Sequence, residues 1–241
     1  TQLELSHFTS KLKEARFLNG GIYKSLRNRP KTAASMDVLQ SCVSELSNYD
    51  NAIHDDSKEI NVERSIKLIA CIPTIVAAWN RIRLGLEPID PSSELAHADN
   101  FSYMLFGERP THEIAKIFDI CLILHAEHSF NASTFAAREI ASTKAHIYAS
   151  ISGAIGALSG SLHGGANTQV MKMLLDIGEL GNVENWIVSK LKHNEKIMGM
   201  GHAVYRTTDP RAKVLYRLSK AISKEKNTKW FEITEQVDKS T

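Results

Sequence analysis

The chain has 241 residues, of which 43% are hydrophobic and 23% charged, and 29 lysines and arginines face 27 acidic residues. That length suits one large domain or two modest ones with a sizeable core, in an ordinary globular composition. A net charge of +2 gives no basic excess for nucleic acid or for an acidic membrane surface, so neither is expected as a partner.

Apolar residues recur at helical spacing along most of the chain. It opens in an amphipathic helix on Leu3, Leu5, Phe8, Leu12 and Ala15, and its first residue is not Met, so further protein is expected upstream. The basic run Lys24, Arg27, Arg29 and Lys31 reads as a solvated face. Met36, Leu39, Cys42, Val43 and Leu46 make one face of the next helix. A longer helix covers 65–86 with Pro73 inside it, where the missing backbone donor predicts a kink. "GLEPIDPSSELAHADNFSYMLFGERPTHE" reads as loop, short helix and loop, ending on Thr111 as the N-cap of a helix over 112–127.

"NASTFAAREIASTKAHIYASISGAIGALSG" is rich in Ala, Ser and Gly and poor in charge. Small residues at helical spacing let backbones approach closely. A helix over 131–158 is therefore expected between other helices or at a subunit interface. Helices over 164–177, 183–191 and 212–222 follow, the last on Val214, Leu215, Leu218 and Ile222. No strand alternation and no repeat is visible, and the predicted class is all-α. Cys42, Cys71 and Cys121 lie far apart in apolar helical contexts, which predicts buried free thiols in a reducing compartment, the cytoplasm. No signal peptide is visible, and no apolar run approaches transmembrane length.

Three stretches carry polar residues that a helical scaffold does not need. "HAEHSFNAST" places His125 and His128 three apart, on one face if helical. Two nitrogen ligands are conceivable there, but the His-Glu-x-x-His order is absent and no Cys or carboxylate lies at ligand spacing, so no metal is expected. No Gly-x-Ser-x-Gly elbow and no cysteine in an electropositive setting argues for nucleophilic catalysis. "SLHGGAN" sets His163 before Gly164 and Gly165, either as a turn histidine or as a hydrogen-bond donor at a helix start. In "GMGHAVYRTTDPRAK", Asp209 can cap a helix that begins with Pro210. Arg211 then sits in the first turn, where dipole and guanidinium both favour an anion, above all a carboxylate held by two parallel bonds. Taken singly, Arg211 is equally an exposed helix-start arginine, and His202 a loop histidine. Together the three stretches suit a substrate with several carboxylates and a carbonyl.

These stretches resemble the citrate synthase family. The likeness begins near "SMDVLQSCVSEL" and runs through "ADNFSYMLFGERPT" and "ILHAEHSFNASTFAAR". It is densest in "GALSGSLHGGAN" and "MGMGHAVYRTTDPRAK", and "NASTFAAR" with "LHGGAN" resembles the shorter bacterial and archaeal type, which includes 2-methylcitrate synthases. The resemblance implies an all-α fold, a large helical domain over 1–161 and a smaller one over 162–241, with the site in the cleft between them and closure around oxaloacetate. It implies that acetyl-CoA loses a methyl proton, that the enol attacks the ketone of oxaloacetate, and that the citryl-CoA formed is hydrolysed to citrate and CoA. CoA is then substrate and product, with no further cofactor. Carried over by motif, His163 donates to the thioester oxygen as a neutral imidazole, and His202 polarises the ketone. His128 and Arg211 hold oxaloacetate carboxylates, Arg206 lies near the CoA phosphates, and the backbone of Met198, Gly199, Met200 and Gly201 receives the adenine end of CoA. The family also implies a homodimer.

In this family the base is an aspartate in a later motif like Asn-Val-Asp, followed by further carboxylate-binding arginines. The sequence ends at Thr241 before such a motif, and Asp238, in what reads as a polar helical tail, is not assigned that role. The expectation is a piece of a complete enzyme, with a truncated ligand-binding paralogue as the alternative.

Overall fold

A computed structural model describes residues 1–127, 129–200, 207, 209–225 and 228–241. It divides into two compact units, Thr1–Ser159 and Gly160–Thr241. Among the described residues all regular structure is helical, as the periodicity requires.

The first unit holds α1 (Gln2–Glu14), α2 (Gly20–Arg27), α3 (Ser35–Glu45), α4 (Lys58–Arg83), α5 (His97–Phe106), α6 (His112–His125), α7 (Ala132–Ser142) and α8 (Ile147–Ser159). The 26-residue α4 runs through Pro73 as one element. It is apolar on most sides, as a helix surrounded by others must be, and it packs on α1, α2, α3, α5 and α8. Leu68, Cys71, Ile75, Ala78, Trp79 and Ile82 of α4 meet Ile22 and Leu26 of α2, Val38, Cys42 and Val43 of α3, and Tyr148 and Ile155 of α8 in one core. By length and mean hydropathy alone α4 could cross a bilayer, contrary to the sequence reading, but 56% of the apolar window is buried within the protein. It is the axis of this unit.

The stretch 131–158 is two helices rather than the single one expected, and α7 and α8 pack against each other. The break is chemical. The hydroxyls of Ser142 and Thr143 turn back onto the carbonyls of Glu139 and Ile140, both at 2.7 Å. Lys144 then takes a left-handed φ of 63°, and His146 Nδ1 accepts the Ala149 N–H at 3.1 Å to start α8. Hydroxyl side chains compete with the helix in this way, and the apolar pattern on either side masks it. The small residues do serve close approach: a Cβ on Gly153 would lie 2.2 Å from Ile140 Cδ1, and one on Gly156 2.7 Å from Gln40 Nε2.

Two arginines latch loops onto this unit. Arg64 is 4% exposed and pairs through Nε with Asp50 Oδ2 at 2.7 Å. It also donates to the carbonyls of Asp55 and Ala52. Burial alone would push the Asp50 carboxyl up; hydrogen bonds from Arg64, the Ala52 amide and Tyr148 outweigh it and bring the pKa below the usual carboxylate range. Arg16, 1% exposed, donates from Nη1 to the carbonyls of Ser92 and Leu95 at 2.8 Å each. The basic run is only partly a solvated face: Arg27 meets Glu87 at the surface, but Arg29 reaches Ser41 at 2.7 Å and Glu45 at 3.7 Å in a partly buried position.

The second unit holds α9 (Gly165–Ile177), α10 (Val183–Lys192), α11 (Pro210–Glu225) and α12 (Lys229–Ser240). Its core is Met173, Leu174, Ile177, Val183, Ile187, Ile233 and Val237. Helix α12 touches α9, α10 and α11 and buries Ile233 and Val237 almost completely. It is a central element, not the polar tail expected; Trp230, Ile233 and Val237 at helical spacing carried that signal. Tyr216 Oη donates to Glu235 Oε1 at 2.7 Å, tying α11 to α12. Trp186 Nε1 donates to Asp176 Oδ2 at 2.7 Å, tying α9 to α10.

Candidate active site

His163 sits in the turn that leads into α9. Its N–H and that of Gly165 both donate to the Gly160 carbonyl, at 3.0 and 3.2 Å. Gly164 is the N-cap with an ordinary right-handed backbone, φ −67° and ψ −18°. No dihedral requires glycine there. The imidazole is half-buried, and the neighbouring Leu162 side chain is 99% exposed.

Met198, Gly199 and Met200 follow α10. Met198 and Met200 pack with Ile197 on the core of the second unit, and the Met200 N–H donates to the Ile197 carbonyl at 3.4 Å. Gly199 has φ +87°, a conformation that side chains oppose. These residues line one wall of a cavity of about 710 Å³ within this unit, whose other walls include Leu215 and Tyr216 of α11 and Phe231 and Val237 of α12. The bond to Glu235 raises the Tyr216 phenol above its usual range and lowers the Glu235 carboxyl.

Helix α11 starts at Pro210, as the Asp-Pro pair predicts. Asp209 Oδ1 accepts the Arg211 N–H at 2.9 Å. The same carboxylate holds the Arg211 guanidinium: Nε lies 3.0 Å from Oδ1 and 3.1 Å from Oδ2, and Nη2 lies 2.6 Å from Oδ2. The sequence reading made Asp209 a cap alone; its grip on the arginine two residues on was missed, although charge and spacing were both in view. The carboxylate that engages Arg211 is thus one of this chain, Asp209.

Gly201, His202 and Arg206 lie outside the described residues, as does His128. Helix α6 ends at His125, with Ala126 as its cap. The helix therefore stops short of the expected 127, and the expected shared face of His125 and His128 involves a residue outside the described ones. His125 instead places Nδ1 2.6 Å from the Cys121 carbonyl, which uses the ring to finish the helix. Among the described residues, no group of three or more His, Cys, Asp or Glu is arranged to hold a metal ion. Cys42 and Cys71 are buried free thiols, and burial pushes each up to about 11. Cys121 is only partly buried, against expectation.

The fold and the site define a class: an all-helical protein whose second unit fixes an arginine by an aspartate at one helix start and presents a histidine turn at another. Residues 1–241 match the family model described as citrate synthase, C-terminal domain, and the chain belongs to the citrate synthase family. It is 42% identical over 240 residues to a citrate synthase of Deinococcus radiodurans, covering 99% of this chain and 64% of that protein. It is 42% identical over 217 residues to a 2-methylcitrate synthase of Mycobacterium tuberculosis, covering 90% of this chain and 55% of that protein. Among solved structures it is similar to a citrate synthase of Thermoplasma acidophilum in ternary complex with carboxymethyl coenzyme A and oxaloacetate. That match has a TM-score of 0.92 and 25% identity, over 99% of this chain and 63% of the other. The chain thus spans less than two thirds of the length of each of these relatives.

Proposed function

We propose that the protein carrying this chain is a citrate synthase, which condenses acetyl-CoA with oxaloacetate and hydrolyses citryl-CoA to citrate and CoA. The observation that carries this reading is the match of residues 1–241 to the citrate synthase family, together with an arginine, Arg211, fixed by Asp209 at the start of α11. A thioester methyl group is very weakly acidic, so removal of its proton needs stabilisation of the oxygen that gains charge. His163, at the entry to α9, supplies that hydrogen bond as a neutral donor. His202 polarises the ketone, and His128 and Arg211 hold the carboxylates of oxaloacetate. Arg206 and the backbone of Met198, Gly199, Met200 and Gly201 receive CoA; the left-handed Gly199 beside the cavity supports this. The base that takes the methyl proton is assigned to no residue of 1–241.

The test is release of CoA thiol that depends on oxaloacetate. His163→Ala is expected to lower kcat by about 10²–10³-fold, the scale of one lost oxyanion donor, with KM for oxaloacetate little changed. The absence of oxaloacetate-dependent thiol release, or full activity in the variant, overturns the reading. The similarity to a 2-methylcitrate synthase favours a second substrate, propionyl-CoA, and relative rates with the two thioesters decide between them. The difference of one methylene is worth only about 1–3 kcal/mol in a pocket. A cytoplasmic homodimer completes the proposal. Three free cysteines support the compartment, and exposed Leu122, Ile123, Phe130 and Phe135 on and beside α6 and α7 support an apolar interface.

A further inference from the structure

Arginine is an awkward residue for the first turn of a helix. Its charge meets the positive end of the helix dipole, and its long side chain has many rotamers. These forces do not by themselves favour a guanidinium at the start of α11. Asp209 reverses both. One carboxylate oxygen caps the Arg211 N–H at 2.9 Å, and the two oxygens together receive Nε and Nη2 at 2.6–3.1 Å. Both side chains are less than a third exposed, so water screens the pair only in part. The side-on grip fixes the plane of the guanidinium as well as its position, because Nε and Nη2 are engaged at once.

We propose that Asp209 is a positioning residue for oxaloacetate binding: it holds the Arg211 guanidinium in the orientation in which that residue meets a substrate carboxylate. The inference rests on the functional reading above. A ligand-holding arginine gains from being fixed beforehand, since ordering it on binding would cost affinity. The cap and the grip are separable chemically, because the cap needs one acceptor oxygen and the grip needs two.

Asp209→Asn separates them. The amide keeps an acceptor for the Arg211 N–H but presents a donor where Oδ2 received Nη2. In the active protein, KM for oxaloacetate is expected to rise about tenfold or more, the scale on which groups behind a ligand-holding residue act. KM for the acyl-CoA and the thermal midpoint stay as they were. In an Arg211→Ala background, adding Asp209→Asn is expected to change KM for oxaloacetate by less than twofold, because the aspartate acts through the arginine. Nitrogen-15 spectra of the Arg211 side chain supply a readout independent of turnover: slow rotation about Nε–Cζ in the unmodified chain, fast in the variant. An unchanged KM in an active variant overturns the inference. So do multiplicative effects in the double variant, or a lowered midpoint with both KM values moved alike, which is a cap and nothing more. If the unmodified protein shows no oxaloacetate-dependent thiol release, the functional reading has failed. The grip is then judged by the spectra alone, and fast rotation in the unmodified chain ends it too.

Discussion

The two units are made of the same kind of helices but place their polar groups in opposite ways. The first buries them: Arg64 with Asp50 and Tyr148, Arg16 on two carbonyls, Thr74 on the Arg16 carbonyl. Arg64 and Thr74 tie a loop and the end of α1 to the α4 axis, and Arg16 ties the loop before α5 to the chain after α1. The second has a smaller core and leaves its polar groups at turns and helix starts, with His163 before α9 and Asp209 with Arg211 at α11. A buried ionic latch gives rigidity at the cost of desolvation. A helix start keeps backbone donors facing outward, where a ligand can reach them. The contrast teaches that in this chain the first unit uses its buried polar pairs as architecture, while the second keeps polar groups at its turns and helix starts.

That contrast can be broken most directly at Arg64. Arg64→Ala strands Asp50 and the carbonyls of Asp55 and Ala52 in the first unit, and should cost about 3–5 kcal/mol. Hydrogen exchange should show the loss in α3 and α4, with α12 amides unchanged. A loss under about 1 kcal/mol, or one shared equally with α12, would show that the latch is not what holds this unit.

High pH should separate the units next. All three cysteines fall in the first unit. Below pH about 9 the Cys42 and Cys71 thiols are protonated in folded and unfolded chains alike, so their contribution to stability is fully present. As pH rises toward about 11 the unfolded thiols ionise while burial keeps the folded ones neutral, and stability is lost. The loss reaches about 2–3 kcal/mol per thiol at the top of the window. Tyr23, pushed up to about 12 by burial and by Asp90, adds to the same slope at its upper end. Urea melts of the first unit across this range, repeated on Cys42→Ala and Cys71→Ala, should show a slope that flattens with each substitution. An unchanged slope would mean that these thiols are not shielded.

The smallest effect compares two turns. Lys144, between α7 and α8, and Asn194, after α10, both take positive φ, 63° and 53°. Lysine resists that conformation and asparagine tolerates it. Lys144→Gly should therefore stabilise the first unit by about 0.5 kcal/mol, and Asn194→Gly should leave the second within error. Equal effects at both positions would remove this distinction.

How much of this was legible in advance differs from element to element. Thr111 was readable as a cap, and its hydroxyl does accept the Ile114 N–H at 3.3 Å; Asp209 with Pro210 likewise announced the start of α11. Such signals are local, because a cap and its helix lie within four residues. The break at 143–146 and the central place of α12 were misread. At 143–146 the apolar pattern on either side masks a local break made by the Ser142 and Thr143 hydroxyls; for α12, which face is covered depends on residues far away in sequence. His163 was legible as a residue at a helix entry, and Arg211 as one fit to hold a carboxylate. The Asp-Pro pair announces the cap, but not that the same carboxylate also grips the guanidinium.

The sequence alone determined the helical class and the helix starts at Thr111 and at Asp209 with Pro210, since these follow from periodicity and capping. Only the tertiary structure decided that α4 is a buried axis, that Arg29 is an anchor rather than a surface charge, and that Arg64 latches a loop. Burial is a property of the surroundings. A residue's neighbours along the chain state what it can do, and those across the fold state which of these it does.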